Sequence, residues 1–208
     1  MENSVALMPE FWRPLLGLIL ASSVIMGSPG PSTISVTAVG AAFGVRRSLQ
    51  YACGLIVGTI AVLLMVAAGV VALVLAIPYG ARLIGAIAAV YILYLAYTIA
   101  MAPPLQERST KTAAPSFAGG FLLSIANPKA YVAIAAVFAG TRVIAESHGL
   151  DAVTKVVLLS FMIVIIHLAW LVAGVSLSRL LRDPMSSRLI NISLATALVI
   201  STFIALLG

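Results

Sequence analysis

Ser28-Pro29-Gly30-Pro31 and Asn127-Pro128-Lys129 interrupt two long apolar runs about a hundred residues apart, and the reading of these interruptions decides the fold. Proline removes a backbone N–H and glycine loosens the backbone, so a helix is expected to break at each place. The flanking residues are apolar enough to lie in a bilayer. A helix broken at that depth leaves N–H and C=O groups that lipid cannot satisfy. Such breaks are tolerated only where protein or a water-filled cavity covers them. Paired breaks in the two halves of a polytopic chain point to a transporter's binding site.

The composition agrees with lipid as the solvent. Of 208 residues, 62% are hydrophobic and 9% charged, and the mean hydropathy is +1.17. A soluble domain carries roughly a quarter charged residues. The formal charge of +6 is spread over short loops, with no basic stripe and no interleaved aromatics, so no nucleic-acid partner is expected. The single cysteine, Cys53, excludes an internal disulfide, a cysteine-based metal site and a dithiol redox pair. Residues 1–10 hold two acids and no basic residue, so the first apolar run is expected to stay in the chain rather than be cleaved as a signal peptide.

Crossing about 30 Å of hydrocarbon takes roughly 20 apolar residues. Six segments meet that length: 11–43, 49–76, 81–101, 117–144, 153–181 and 187–207. The first and fourth contain the breaks and suit pairs of half-helices. The expected fold is an all-α membrane protein, six transmembrane helices as a 3+3 inverted repeat, with the first and fourth helices broken by proline. Residues 1–105 form the first three-helix repeat, 106–116 a cytoplasmic linker, and 117–208 the second repeat. Residue-level similarity between the halves is weak, and the placement of the breaks carries this reading.

Loop charge orients the chain. Arg46, Arg47, Arg108, Lys111, Arg179, Arg182 and Arg188 fall on one side, seven basic residues against four on the other, Arg13, Arg82, Arg142 and Lys155. The positive-inside rule puts the first set in the cytoplasm and both termini outside. Gly54-x-x-x-Gly58 in the second segment reads as a close helix–helix contact in a tight bundle.

Several stretches together resemble the lysine exporter family (LysE/RhtB) of small membrane proteins. Pro29-Gly30-Pro31-Ser32-Thr33 resembles the family's Pro-Gly-Pro motif. Phe43-Gly44-Val45-Arg46-Arg47-Ser48 is similar to its basic turn, and Gly85-Ala86 with Tyr91-Ile92-Leu93-Tyr94-Leu95-Ala96-Tyr97 to its third helix. The run from Gly119 to Ala130, which includes Asn127-Pro128-Lys129, resembles its Gly-Phe-x-x-Asn-x-x-Asn-Pro-Lys-Ala stretch. The resemblance covers most of the chain. It implies amino-acid export across the bacterial inner membrane. The chain departs from the family at Thr59, where many members have aspartate, and at His167 near Trp170, where members often have an acid. Membrane acids are common proton relays and cation ligands. A lysine-like substrate and a carboxylate relay are therefore not carried over.

Lys129 is the leading site candidate. An ionisable group at mid-membrane costs several kcal/mol unless it faces a cavity or a partner. It sits at a half-helix N-terminus, whose dipole also favours an anion. A substrate carboxylate is the expected ligand; the alternative is a structural lysine that satisfies carbonyls freed in the other break. Pro29, Gly30, Pro31 and Pro128 either expose backbone groups to a substrate or only kink the bundle. Ser28, Ser32 and Thr33 offer hydroxyls to a substrate or to their own helix. Asn127 suits an N-cap, and Thr59 a cavity wall. His167, whose ordinary pKa lies near neutrality, is the candidate proton carrier, against a structural hydrogen-bonded histidine. Tyr91, Tyr94, Tyr97, Trp12 and Trp170 read as packing or interfacial aromatics.

No phosphate-binding loop, His-Glu-x-x-His motif or intramembrane acid pair is present in the sequence, so neither an enzyme nor an ATP-driven pump is expected, and no cofactor or metal. The expected function is secondary-active export of amino acids or close derivatives by alternating access, coupled to proton entry. The substrate-binding set is Pro29, Gly30, Pro31, Ser32, Thr33, Thr59, Asn127, Pro128 and Lys129, with His167 for protons. The expected partners are the amino-acid substrate and the lipid bilayer. Oligomeric state stays open, with a homodimer the form small membrane bundles often take. The alternatives are a non-transporting membrane scaffold and a metal-ion exporter; the latter would want several Asp, Glu, Cys or His near mid-membrane.

Overall fold

The computed structural model describes residues 3–69, 114–177 and 183–207, with positions 86, 90, 93, 94, 96, 97, 100 and 101. The end of the expected second segment, most of the third and most of the 106–116 linker lie outside the described residues. So do Arg82, Arg108, Lys111, Arg179, Arg182 and Tyr91.

The described chain is helical. Helix α1 (Asn3–Ala21) runs into a π-helical turn, Ser22–Met26. After Gly27 to Gly30 come α2 (Pro31–Ala67), α3 (Phe117–Ile125), α4 (Pro128–Gly140), α5 (His148–Leu177) and α6 (Pro184–Leu207). Pro31 and Pro128 each sit at the first helical position, where the missing N–H is no loss and φ is already suitable. Pro184 opens α6 in the same way, and Asp183 caps it by accepting from the Ser186 N–H at 2.8 Å. That bond holds the exposed Asp183 carboxyl below its ordinary pKa.

Helix α2 is a hairpin rather than a rod. Gly44 has φ 73° and ψ 173°, a left-handed conformation that glycine adopts without a Cβ penalty. The Ser48 hydroxyl donates to Val39 O at 3.0 Å, and Tyr51 Oη donates to Ser35 Oγ at 3.1 Å. In a straight helix, nine residues rise about 13 Å and sixteen about 24 Å, so these bonds require the chain to double back at Gly44. Residues 31–43 and 45–67 are its two arms. The second, about 34 Å long, can cross a bilayer alone; the first, about 20 Å, cannot.

Among the described residues, α2 and α5 are long and apolar enough to span. Helices α3 and α4 reach that length only as a pair, bent by 62° where Ala126 and Asn127 separate them. The chain from Trp12 to Met26 is a shorter apolar helix.

The helices present large apolar side chains outward. On α5, Leu150, Val153, Val157, Phe161, Ile165, Leu168 and Val172 are exposed, at helical spacing. The opposite stripe, Leu159, Ile163 and Ile166, is buried. Both faces are apolar, as expected where hydrocarbon replaces water outside the bundle.

Close packing uses glycine at the α2–α3 contact. A Cβ on Gly54 would run into Phe117 O and lie 3.0 Å from Phe121 N; one on Gly58 would lie 2.8 Å from Phe121 O. From the facing helix, a Cβ on Gly120 would lie 2.9 Å from Leu55 N. The Gly54-x-x-x-Gly58 stripe therefore lets two backbones touch, as the tight-bundle reading expects.

Candidate functional site

The ends of α1 and α2 and the bend between α3 and α4 meet at one place. The backbone around 25–30 lacks a continuous helical ladder, and its carbonyls find partners one by one. Ile25 O accepts from Ser28 Oγ at 2.8 Å. Gly27 O accepts from Trp170 Nε1 of α5 at 3.1 Å. Ser28 O accepts from Lys129 Nζ, and Pro29 O from the same ammonium at 2.9 Å. Gly30 O accepts from Ile34 N at 2.8 Å and from Thr33 Oγ1 at 3.1 Å. The Gly30 N–H in turn reaches Thr33 Oγ1 at 2.8 Å. This is the accounting that a broken backbone demands wherever water does not reach it.

Lys129 leaves α4 one residue past Pro128 and crosses to the other break. Its Nζ also lies 2.7 Å from Ser28 Oγ, so three acceptors of one loop surround it. The lysine chain lies along Gly30, where a Cβ would stand 2.5 Å from Cδ and 2.9 Å from Nζ. Gly30 has φ −167° and ψ 179°, extended backbone open to any residue, so glycine is there to make room for Lys129.

Asn127 ties the two breaks together. Its Oδ1 accepts from the Lys129 N–H at 3.1 Å, capping α4, and its Nδ2 donates to Ser32 Oγ at 2.9 Å. Thr59 is turned toward its own helix and α3, with Oγ1 2.8 Å from Leu55 O and 3.1 Å from Ser124 Oγ.

His167 on α5 is buried, and its Nδ1 lies 2.8 Å from Ile163 O. A carbonyl only accepts, so Nδ1 carries the proton in the neutral ring and Nε2 presents a lone pair. That Nε2 is buried and has no hydrogen-bond partner among the described residues. An orphaned buried nitrogen costs on the order of 1–3 kcal/mol, which marks it as a place for a ligand or a proton.

A cavity of about 40 Å³ lies where these groups meet, large enough for a few water molecules. Ser28, Gly30, Ser32, Thr33, Thr59, Asn127, Lys129 and His167 line it together with apolar residues of α4 and α5, including Ala133, Ile134, Ile163 and Ile166. Of the residues expected from the sequence, Pro29, Pro31 and Pro128 do not line it; they shape the backbone beside it. The apolar lining was not foreseen, and neither was the Trp170 bond to Gly27 O. Trp170 stands three residues from His167 on α5, which was the available signal.

A second lysine, this one buried, lies elsewhere. Lys155 pairs with Asp151 at 2.8 Å and donates to Phe138 O at 2.8 Å and Thr141 O at 3.1 Å. Asp151 Oδ1 accepts from Val143 N and Ile144 N. Lys155, counted from the sequence among the loop charges, in fact joins Asp151 in clamping the end of α4 to the start of α5, every partner satisfied and away from the cavity.

The LysE type translocator family matches residues 23–207, nearly the whole chain and both breaks. The chain belongs to that family. It is 30% identical over 173 residues to a cysteine/O-acetylserine efflux protein of Escherichia coli O1:K1, covering 83% of this chain and 87% of that protein. It is also 30% identical over 126 residues, 58% of each chain, to a leucine efflux protein of Salmonella choleraesuis. No solved structure matches. This LysE-family chain is thus a membrane protein of a translocator family whose matched relatives are amino-acid efflux proteins.

Proposed function

We propose that this translocator exports amino acids or close derivatives across the inner membrane by alternating access, driven by proton entry. One observation carries the reading: Lys129 and His167 line one cavity between two helix breaks, and His167 Nε2 has no partner among the described residues. A cation near the N-terminus of α4 suits a carboxylate. Hydroxyls from Ser28, Ser32 and Thr33 suit the polar end of a zwitterion, and Ala133, Ile134, Ile163 and Ile166 suit an uncharged side chain. Pro29, Gly30, Pro31, Asn127 and Pro128 hold the backbone in place, and Thr59 closes the wall. His167 Nε2 is the proton acceptor in this scheme.

The paired breaks, one in each half, support a 3+3 inverted repeat with both termini outside, on which alternating access would rock one repeat against the other. At about 40 Å³ the cavity is too small for an amino acid and would have to widen to load one.

One observation favours the scaffold reading: each Lys129 N–H already has an acceptor within the chain. Efflux of labelled amino acids from cells overproducing the chain separates the two. Export that falls in Lys129→Ala supports transport through this site; no export above background by the unaltered chain removes it. The metal-ion reading finds no support in the cavity, whose described lining offers one imidazole and no carboxylate.

A further inference from the structure

The acceptors around the Lys129 ammonium form a shape of their own. Ser28 O, Ser28 Oγ and Pro29 O belong to one short loop and converge on a single nitrogen. The Ser28 hydroxyl is already oriented, because its proton goes to Ile25 O at 2.8 Å, which leaves its lone pairs for an incoming N–H. The two flanking carbonyls, Gly27 O and Gly30 O, are occupied by other donors. Two carbonyls and one hydroxyl therefore remain as a preset triad, and Ser28 and Gly30 line the cavity. An ammonium with three N–H groups matches three such acceptors; a quaternary ammonium, with none, does not.

We propose that this triad is a binding subsite for primary ammonium groups, occupied in the unloaded protein by Lys129 as a tethered ligand. The α-ammonium of a substrate takes the triad, and the displaced Lys129 Nζ, still on the N-terminus of α4, meets the substrate's carboxylate. Loading thereby exchanges one ammonium for another and leaves no carbonyl unpaired in hydrocarbon. The use of the triad by a substrate rests on the export reading above; its affinity for primary amines does not.

The test empties the triad in two ways in the full-length purified protein. Lys129→Ala removes the tethered ligand. Lys129→Ser removes it as well, leaving a short polar side chain on α4 that ends well before the triad. Thermal unfolding is followed with n-butylammonium and with tetramethylammonium, each at 100 mM. For a dissociation constant on the order of 10 mM, the first salt favours the folded variant roughly tenfold, a rise of a few degrees in Tm. The expected result is stabilisation of both variants by butylammonium only, and of the unaltered chain by neither salt. A variant recovered folded only when butylammonium is present counts as the same rescue. Equal response to the two salts, an equal butylammonium response in the unaltered chain, or variants rescued by neither overturns the subsite. Amine rescue without efflux leaves the subsite standing and removes the exporter; efflux without amine rescue does the reverse.

Discussion

Replacing Lys129 by methionine removes the ammonium while keeping most of the side-chain volume, and its effect follows from the bonds around Nζ. Three acceptors lose a charged donor. A hydrogen bond to a charged group contributes about 1.5–3 kcal/mol, which bounds the gross loss near 9 kcal/mol. The site is only partly buried, and cavity water softens that loss. Removing a charge from hydrocarbon depth returns several kcal/mol. The net expectation is a loss of stability of about 2–4 kcal/mol. Transport suffers separately. Losing one charged contact to a substrate carboxylate, about 1.5–3 kcal/mol, weakens loading roughly 10- to 150-fold. Lys155→Met is the control, since it deletes a buried, fully bonded lysine away from the cavity. It strands the buried Asp151 carboxylate and is expected to cost about 3–5 kcal/mol, more than the change at Lys129. The assay is counterflow of labelled neutral amino acids in proteoliposomes, normalised to folded protein, beside thermal unfolding. Lys129→Met is expected to fail in transport and Lys155→Met chiefly in stability. Equal transport per folded molecule in the two variants would refute the assignment of Lys129 to the pathway.

Three further outcomes are expected. His167→Gln, measured across pH 5 to 8 in the same vesicles, is expected to flatten the pH dependence of efflux while the protein stays folded; a profile matching the unaltered chain would remove His167 as the proton carrier. Gly54→Leu forces a side chain against Phe117 O and the Phe121 N–H, so α2 and α3 must part, at about 1–3 kcal/mol or more; an unchanged melting temperature would contradict the backbone contact. Asn127→Ala loses the α4 cap and the bridge to Ser32, with an expected cost of about 1–2 kcal/mol in thermal unfolding, and a neutral result would mean the two breaks do not depend on that link.

The class of molecule was legible in composition and in the placement of two proline clusters. A chain with so few charges cannot cover a soluble surface, and proline at the start of a half-helix acts through its own ring and missing N–H, without help from distant residues. The same holds for the turn at Gly44 beside Arg46 and Arg47, and for the cap at Asn127. These effects are local, so neighbouring residues are enough to read them.

The partners of Lys129 were not legible in that way. Its sequence suggested both a substrate ligand and a structural lysine, and the structure gives it three acceptors on a loop a hundred residues away while leaving it on a cavity wall. Lys155 looked like a loop charge and proved to be half of a buried clamp with Asp151. Whether Nε2 of His167 has a partner depends on which helices come to face α5. Local chemistry thus determined where the backbone must break and that some group must repair it. Only the packing of α2, α4 and α5 against one another decided which side chains do so and which one is left open, because those contacts join residues whose separation along the chain carries no information about distance.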